Sequence, residues 1–286
     1  MDLKHKILKS IYPIFFLRNR LFDILNNKYR GKVRILIYHD IPPEEQEYFS
    51  KQIEFLKKTW VFISPQKFIR LILGDDDLVQ PSILLTFDDG FSSNRIIAEN
   101  ILNPLGIKAL FFVISEFVAL TPLDNWREFV SHHIWPGLKE NEIPSHWNNM
   151  SWKDLEFLLD SGHTIGSHTA YHSRLSEVPD QELEAEIVSS AESLESKLGI
   201  CIENFAYTFG DVSSFSPGAL AIARQRFPFI YTGLRGNNRK GVPPWAIRRD
   251  SINPTDPHAL VRAFLEGGAD FHYSKALKTY ESWGIH

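Results

Sequence analysis

The sequence predicts an α/β fold in which parallel strands are covered by helices. Segments of strand character and of helix character alternate from about residue 34 to residue 234, an order typical of parallel strands joined by helices. The segment 109–114 is continuously apolar, which indicates a strand that is buried on both faces. The length of 286 residues suits one α/β barrel or two smaller domains.

Local signals support the individual elements. The predicted strands are residues 34–39, 82–87, 109–114, 204–209 and 229–234, and the predicted helices are residues 49–58, 64–74, 92–105, 151–162 and 183–198. Ser64 and Pro65 suit an N-cap and a first helical position, and Gly74 ends that helix. Ser151, followed three residues later by Asp154, begins the fourth helix in the same way.

Two of the predicted helices carry an apolar stripe, which predicts that one face of each is buried. The stripes consist of Ile97, Ile101 and Leu105 in one helix and of Leu183, Ile187, Ala191, Leu194 and Leu198 in the other. Gly199 is suited to cap the second of these helices. The segment 117–150 is rich in Trp, His and Pro and has no clear period, so we predict an insertion over one end of the fold.

Composition and charge argue against several classes of function. The net charge is -4 at pH 7 and the pI is about 6.3, so no overall basic field attracts nucleic acid, and we expect no nucleic-acid partner. Cys201 is the single cysteine, which excludes an intrachain disulfide framework and a zinc site built on cysteines.

Residues 1–30 are predicted to be an amphipathic helical segment that precedes a single domain at 31–286. The stretch 7–25 is apolar and basic, but its uncharged run, 10–17, is far shorter than the roughly 20 residues that span a bilayer. No small-residue cleavage site follows, so a cleaved signal peptide is not expected. The helix could pack on the domain or lie on a membrane surface. We expect a cytoplasmic location, at the inner face of the membrane if the helix binds it.

The strand at 82–87 ends at two adjacent carboxylates and a glycine, in the sequence LLTFDDG. Successive side chains of a strand point to opposite faces, so Asp88 and Asp89 can share one site only if the chain turns there. Gly90 allows such a turn. In a parallel barrel the reactive groups gather at the carboxyl ends of strands, where His39 also falls.

A second motif lies eighty residues further along, where residues 162–172 read GHTIGSHTAYH. His168 and His172, together with a carboxylate from the Asp-Asp-Gly turn, could surround a divalent cation. Either motif alone could be structural, since Asp is common in turns and helix caps and His in loops. The presence of both favours a metal site.

The two motifs, in this order and within an α/β alternation, resemble those of the NodB-type polysaccharide deacetylases, which are metal-dependent carbohydrate esterases. The likeness extends from about residue 33 to about residue 275. It implies a distorted (β/α) barrel of about seven strands. It also implies hydrolysis of N-acetyl groups on an amino sugar in a glycan or glycolipid. The reaction would use one divalent metal ion, for which zinc is the first expectation and cobalt, nickel and iron are the alternatives.

The resemblance assigns roles to four residues. Asp89 matches one metal ligand of the family, and His168 and His172 match the other two. Asp88 matches the general base that takes a proton from water. An amide carbonyl is a poor electrophile and neutral water is a poor nucleophile. A cation that polarises the carbonyl and acidifies the water lowers the activation barrier in both ways. Three protein ligands leave positions open for water and substrate.

The third family motif is altered in this chain. The sequence FAYTFG at 205–210 has Ala206, Thr208 and Phe209 where the family has Arg, Pro and Tyr. The family loop offers a backbone N–H to the oxyanion, and a backbone donor survives side-chain changes, so we include Phe209 among the catalytic residues. The family Arg pairs with the base, and we expect Arg249 to supply this cation from a later strand.

The general acid of the family is a histidine in a Leu-x-His motif near the C-terminus. Three late histidines lack such a context: His258, His272 and His286. The sequence LIYHD near the start instead resembles the permuted arrangement of deacetylases acting on poly-N-acetylglucosamine, where the strand bearing the acid comes first. We therefore predict His39 as the acid, with Asp250 or Asp40 as the partner of its imidazole.

Two other classes of function remain as alternatives. The altered third motif could belong to a sugar-binding barrel that has lost or changed its turnover. Two histidines and one carboxylate also form the facial triad of non-haem iron enzymes, but the H-x-[DE] motif and β-sandwich expected there are not seen. Since the three metal ligands and the base are all present, we prefer a deacetylase whose partner is an N-acetylated saccharide or glycolipid.

Overall fold

The computed structural model describes residues 32–78 and 80–284. The N-terminal segment 1–30 and His286 lie outside these residues, so the predicted helix and its contact with a membrane stay predictions. Within the described ranges, no helix is long and apolar enough to span a membrane.

The strands form one parallel sheet. In chain order they are β1 (Val33–Tyr38), β2 (Val61–Phe62), β3 (Ser82–Phe87), β4 (Leu110–Val113), β5 (Thr164–Ser167), β6 (Asn204–Ala206), β7 (Phe229–Tyr231) and β8 (Asp250–Ser251). Neighbours in the sheet follow the order β7-β6-β5-β4-β3-β1-β8, and β2 pairs with the beginning of β3.

The segment before β8 connects the two edges of the sheet. Ile247 donates a backbone hydrogen bond to Ile230 of β7 at 3.0 Å and accepts one from Thr232 at 2.8 Å. Three residues further on, β8 pairs with β1. One stretch of chain therefore contacts both edges, and the sheet curls into the distorted (β/α) barrel that the sequence predicted.

Helices surround this barrel along its outside and at its ends. They are α1 (Gln46–Lys57), α2 (Pro65–Leu73), α3 (Ser92–Ile97), α4 (Ser115–Val118), α5 (Trp126–Phe129), α6 (Trp152–Asp160), α7 (Leu183–Leu198), α8 (Pro217–Arg226), α9 (His258–Leu265) and α10 (Asp270–Trp283). Short 3₁₀ turns occur at Pro43–Glu45, Glu140–Glu142 and Asp180–Glu182, and π-helical turns at Ala98–Leu102 and Val130–Ile134. The predicted cap of α2 is confirmed, since the Ser64 hydroxyl accepts from Lys67 N at 3.2 Å and Gly74 has a φ of 93°.

Strand residues alternate between two apolar clusters. The barrel interior contains Val33, Ile35, Leu84, Leu110, Phe112, Tyr231 and Ile247. Between the strands and the helices lie Leu36, Tyr38, Leu85, Phe87 and Phe111, with the apolar faces of α1, α6 and α7. Helix α2 adds Phe68, Leu71 and Ile72 to the interior cluster, so it closes the end of the barrel at which the strands begin.

Some predicted bounds were wrong. The helix expected at 92–105 is α-helical only to Ile97 and continues as a π-helical turn. The strand expected at 204–209 ends at Ala206, because the chain then turns and Phe209 adopts a φ of 60°. The segment 117–150 contains α5 and the π-helical turn that follows it, and this turn interrupts the 3.6-residue period that would have revealed a helix.

Candidate active site and metal centre

The chain turns sharply after β3. The Asp88 N–H donates to Tyr38 O at 2.9 Å and so extends the pairing of β3 with β1. Asp89 and Gly90 then adopt φ values of 73° and 95°. The left-handed conformation is uncommon for an aspartate. Here it turns the second carboxylate toward the same cavity as the first.

A second turn follows β5, the strand that precedes the histidine motif. The His168 N–H donates to Val113 O at 2.9 Å and keeps the register with β4. Thr169 and His172 adopt φ values of 66° and 62°. The two imidazoles are thereby brought to the same side, with their ring centroids 5.5 Å apart.

Asp89, His168 and His172 converge on one point. The Nε2 atoms of His168 and His172 lie 3.6 Å and 3.5 Å from Oδ1 of Asp89, and the candidate ligand atoms all lie within 4.8 Å of one another. Within the described part of the chain, the buried Oδ1 of Asp89 has no hydrogen-bond partner. A buried carboxylate oxygen without a donor, facing two imidazole nitrogens, fits a divalent cation.

Backbone carbonyls form hydrogen bonds with Nδ1 of both imidazoles, the ring nitrogen that does not face Asp89. Nδ1 of His168 lies 2.7 Å from Ala206 O, and Nδ1 of His172 lies 3.1 Å from His133 O. Because a carbonyl can only accept, each Nδ1 carries the proton and each Nε2 presents its lone pair to the centre. Support of this kind orients histidine ligands in metal sites.

Burial sets the protonation of the three candidate ligands. It lowers the pKa of His168 to about 3 and that of His172 to about 4, so both rings are neutral near pH 7, as metal ligands must be. Burial raises the pKa of Asp89 to about 6. A cation at this point would offset the cost of ionising Asp89 there.

Asp88 is paired with a buried arginine. Nη1 of Arg249 donates to Oδ1 of Asp88 at 2.7 Å and lies 3.3 Å from the Thr86 hydroxyl, and its Nε donates to Thr232 O at 3.0 Å. The pairing expected from the sequence is therefore present. Burial by itself would raise the pKa of Asp88, but the charge of Arg249, with neighbouring imidazoles, brings it below the usual range.

His39 lies at the carboxyl end of β1 and lines the same cavity as Asp88 and Asp89. Its carbonyl accepts from the side-chain amide of Asn94 at 2.8 Å, which anchors the backbone at this point. Two of the late histidines, His258 and His272, are instead exposed on α9 and α10 and do not line the cavity.

The expected carboxylate partners of His39 are engaged elsewhere. Within the described ranges, neither Asp250 nor Asp40 is bonded to the His39 imidazole. Asp250 faces outward with the alternation of β8 and binds Arg34 through both of its oxygens, at 2.8 Å and 2.5 Å. Asp40 accepts from the Ser93 hydroxyl at 2.6 Å and lies 3.1 Å from Nε2 of His146.

These groups line a cavity of about 240 Å³ at the carboxyl end of the barrel, with His39, Asp88, Asp89, His168, His172 and Arg249 in its walls. Phe209 forms part of the rim: its side chain is 45% exposed, and its ring centroid lies 4.7 Å from that of His172. Within the described residues its N–H has no hydrogen-bond partner. This N–H is the donor that the sequence predicted for an oxyanion.

The predicted insertion supplies a wall of the cavity. Ile134 and Trp135 line it, and the Trp135 ring stacks on Trp147 with centroids 4.6 Å apart and an interplanar angle of 20°. Trp135 is 41% exposed. The Trp and His content of this segment is evident from the sequence, but no site residue was predicted in it, because nothing in the local pattern shows which side chains return to the barrel.

Comparison with known proteins gives a consistent match. The model of the family described as polysaccharide deacetylase matches residues 75–225. A curated relative from Bacillus subtilis (strain 168), YxkH, which is named as a polysaccharide deacetylase, is 22% identical over 168 residues, covering 56% of this chain and 50% of the relative. The chain thus spans about half the length of this curated relative.

Solved structures with a similar fold include the following three. IcaB from Ammonifex degensii has a TM-score of 0.65 at 24% identity, over 82% of this chain and 97% of that chain. The Streptococcus pyogenes deacetylase PplD, in complex with acetate, has a TM-score of 0.64 at 20% identity, over 82% and 98%. A de-N-acetylase from Aggregatibacter actinomycetemcomitans has a TM-score of 0.65 at 18% identity, over 82% and 99%. At these identities the similarity establishes the α/β barrel fold.

Proposed function

The chain belongs to the polysaccharide deacetylase family, and from this premise we propose that it is a hydrolase that removes N-acetyl groups from an amino sugar in a glycan or glycolipid. We further propose that the reaction depends on one divalent cation. The observation that carries the proposal is the convergence of one buried carboxylate and two neutral imidazoles beside a second, separately paired carboxylate.

Asp89, His168 and His172 would hold the cation. The unpartnered Oδ1 of Asp89 and the two lone pairs turned toward it support this assignment. When bound, a divalent cation polarises an amide carbonyl and makes a water more acidic. A set of two imidazoles and a carboxylate suits zinc, and it also suits iron, cobalt or nickel.

Asp88 would act as the general base. Its carboxylate lies 4.0 Å from Nε2 of His168, so it faces the same space as the ligands without belonging to the cluster. Arg249 keeps it ionised, so it can accept a proton as water attacks the acetyl carbonyl. The N–H of Phe209 would donate to the oxygen on which negative charge develops.

His39 would protonate the leaving group. When the tetrahedral intermediate collapses, the bond between carbon and nitrogen breaks, acetate is released, and the sugar nitrogen must gain a proton to leave as an amine. A histidine is the side chain best suited to deliver a proton near neutral pH. Its place in the cavity beside Asp88 and Asp89 supports this role.

The alternative of a sugar-binding barrel without turnover rested on the missing arginine of the third motif. The hydrogen bond of 2.7 Å between Arg249 and Asp88 supports an enzyme instead, since a cation pairs with the base despite the altered motif. The exposed Trp135 at the cavity supports a saccharide as the ligand, because aromatic rings offer apolar faces to sugar rings.

Acetate release from a panel of N-acetylated glycans and lipid-linked sugars, with and without a chelator, tests the proposal. We expect release that the chelator abolishes and that added Zn²⁺ or Co²⁺ restores. His168→Ala should lose both bound metal and activity. A His168→Ala protein with full metal occupancy would remove the ligand assignment, and acetate release that is unaffected by a chelator would remove the metal dependence.

A further inference from the structure

The loop that carries His172 has an unusual backbone. Residues 169–173 include two non-glycine residues with positive φ, Thr169 at 66° and His172 at 62°. Side chains disfavour this conformation, so it persists only where the surrounding structure holds it. The Thr169 hydroxyl accepts from the His172 N–H at 2.9 Å, which supports the loop from within.

A buried glutamate of α7 supports the same loop from outside. Oε2 of Glu186 accepts from the N–H groups of Ala170 and Tyr171 at 3.2 Å and 3.1 Å, and its Oε1 accepts from the Ser173 hydroxyl at 2.7 Å. The backbone carbonyl of Glu186 also accepts from Ala170 N at 3.0 Å. The carboxylate therefore binds the residues on both sides of His172.

The position of Glu186 in its helix is unexpected. The residue is 8% exposed and lies on the face of α7 that buries Leu183 and Ile187. A carboxylate in such a place is costly unless hydrogen bonds compensate for the lost water. Three donors from the 169–173 loop provide that compensation. The loop therefore stabilises the buried carboxylate, and the carboxylate stabilises the loop.

We propose that Glu186 is the positioning residue for His172: by binding both sides of the loop, it fixes the imidazole in the orientation that a divalent cation requires. The proposal rests on the proposed metal site. Residues that orient a metal ligand without touching the metal commonly change its affinity by about 10- to 100-fold.

Metal binding to purified, metal-free protein tests this role. We expect Glu186→Ala to weaken Zn²⁺ binding by about 10- to 100-fold, measured by competition with a chromogenic chelator, and to change the visible absorption spectrum of the Co²⁺ form. Glu186→Gln should restore both to near the wild-type values. The side-chain oxygen of this glutamine can accept from the N–H groups of Ala170 and Tyr171, and its NH₂ group can donate to the Ser173 hydroxyl.

Glu184→Ala is the matched control, since this residue is exposed on the same helix and should leave the affinity and the spectrum unchanged. A Glu186→Ala protein that melts at a lower temperature but binds Zn²⁺ with wild-type affinity would overturn the proposal. If Glu186→Ala does not fold, Glu186→Asp carries the test, because its shorter side chain cannot reach the loop and the same loss of affinity is expected. Wild-type protein that binds neither ion would overturn the metal site itself, together with the role of Glu186.

Discussion

At the scale of single residues, unusual backbone angles are concentrated at the cavity. Within the described ranges, the non-glycine residues with positive φ are Asp89, Thr169, His172 and Phe209. Each belongs to one of the three motif loops. Strained backbone of this kind is retained where function requires a particular side-chain direction. The motifs therefore specify the direction of each side chain as well as its chemistry.

The proposed role of Asp88 as the general base predicts the behaviour of Asp88→Asn. Asparagine preserves the shape of the side chain but cannot accept the proton, so kcat should fall by about 100-fold or more. Metal content, measured by atomic absorption, should remain that of the wild type because Asp88 is not among the ligands. Turnover near the wild-type rate with metal bound would mean that another group takes the proton.

The proposed role of His39 as the general acid makes a different prediction. His39→Ala should fold, retain its metal and lose most amide hydrolysis, by about 10²- to 10⁴-fold. Hydrolysis of an O-acetyl ester should fall less, because an alkoxide leaves with less help than an amine. The ratio of the two activities, compared with the wild type, measures the effect. If His258 proves essential and His39 dispensable, the acid comes from the C-terminal region instead.

At the scale of elements, the predicted insertion at 117–150 contributes to the candidate active site. It has its own apolar cluster, which includes Phe117, Phe129 and Ile134. From this support it contributes the carbonyl of His133 to a candidate metal ligand and the ring of Trp135 to the cavity. The segment therefore contacts both the cavity and the candidate metal centre.

Replacing the aromatic ring tests its contact with substrate. Trp135→Ala should raise KM for an N-acetylated glycan by about 10-fold, equivalent to about 1.4 kcal/mol of lost contact energy. The metal content should not change. Leu123→Ala is the control, since Leu123 is 97% exposed in the same insertion. An unchanged KM in Trp135→Ala would show that the glycan does not use this ring.

At the scale of the whole molecule, closure of the barrel brings the candidate base, Asp88, together with the guanidinium of Arg249. The residues around β8 pair with both sheet edges, so their inward side chain, Arg249, reaches Asp88, while the next residue, Asp250, faces outward. On that outer side Arg34 binds Asp250. Its Nη1 and Nη2 also donate to Oδ2 and Oδ1 of Asp270 in α10, at 2.8 Å and 2.9 Å. Arg34 thus connects α10 with β8, the strand that directly follows Arg249.

A buried histidine directly before β5, His163, predicts how global stability depends on pH. Nδ1 of His163 accepts from Ala109 N at 3.1 Å and its Nε2 lies 3.1 Å from Oδ1 of Asn103. Burial, with the charge of Lys108 nearby, lowers the pKa of His163 to about 4. The unfolded chain binds a proton at this residue below pH about 6.5 while the folded protein does not. Stability is therefore lost as the pH falls from about 6.5 to about 4.

His163→Asn isolates this effect, because its side-chain oxygen can still accept from Ala109 without titrating. Between pH 7 and pH 4.5, the free energy of unfolding of the wild type should fall by about 2 kcal/mol more than that of the variant. Urea unfolding at a series of pH values measures the difference. Parallel pH dependences would show that His163 titrates normally in the folded protein.

The sequence by itself indicated the fold class, five of the eight described strands and the candidate residues for a metal site. These inferences were available because strand character, helix caps and the two motifs are each contained within a few neighbouring residues. Asp88 and Asp89 could be placed in a site because a strand end and a glycine dictate the turn between them. His168 and His172 followed from their short spacing.

Only the tertiary structure decided which distant residues meet. The hydrogen bond between Arg249 and Asp88, which the resemblance to the family led us to expect, spans 161 residues of chain and depends on closure of the barrel. The outward direction of Asp250, which we expected to face His39, depends on its register with β1. Trp135 reaches the cavity, and Glu186 reaches the loop of His172, through packing between elements. Such contacts depend on register, helix packing and barrel closure, and no local sequence pattern encodes these.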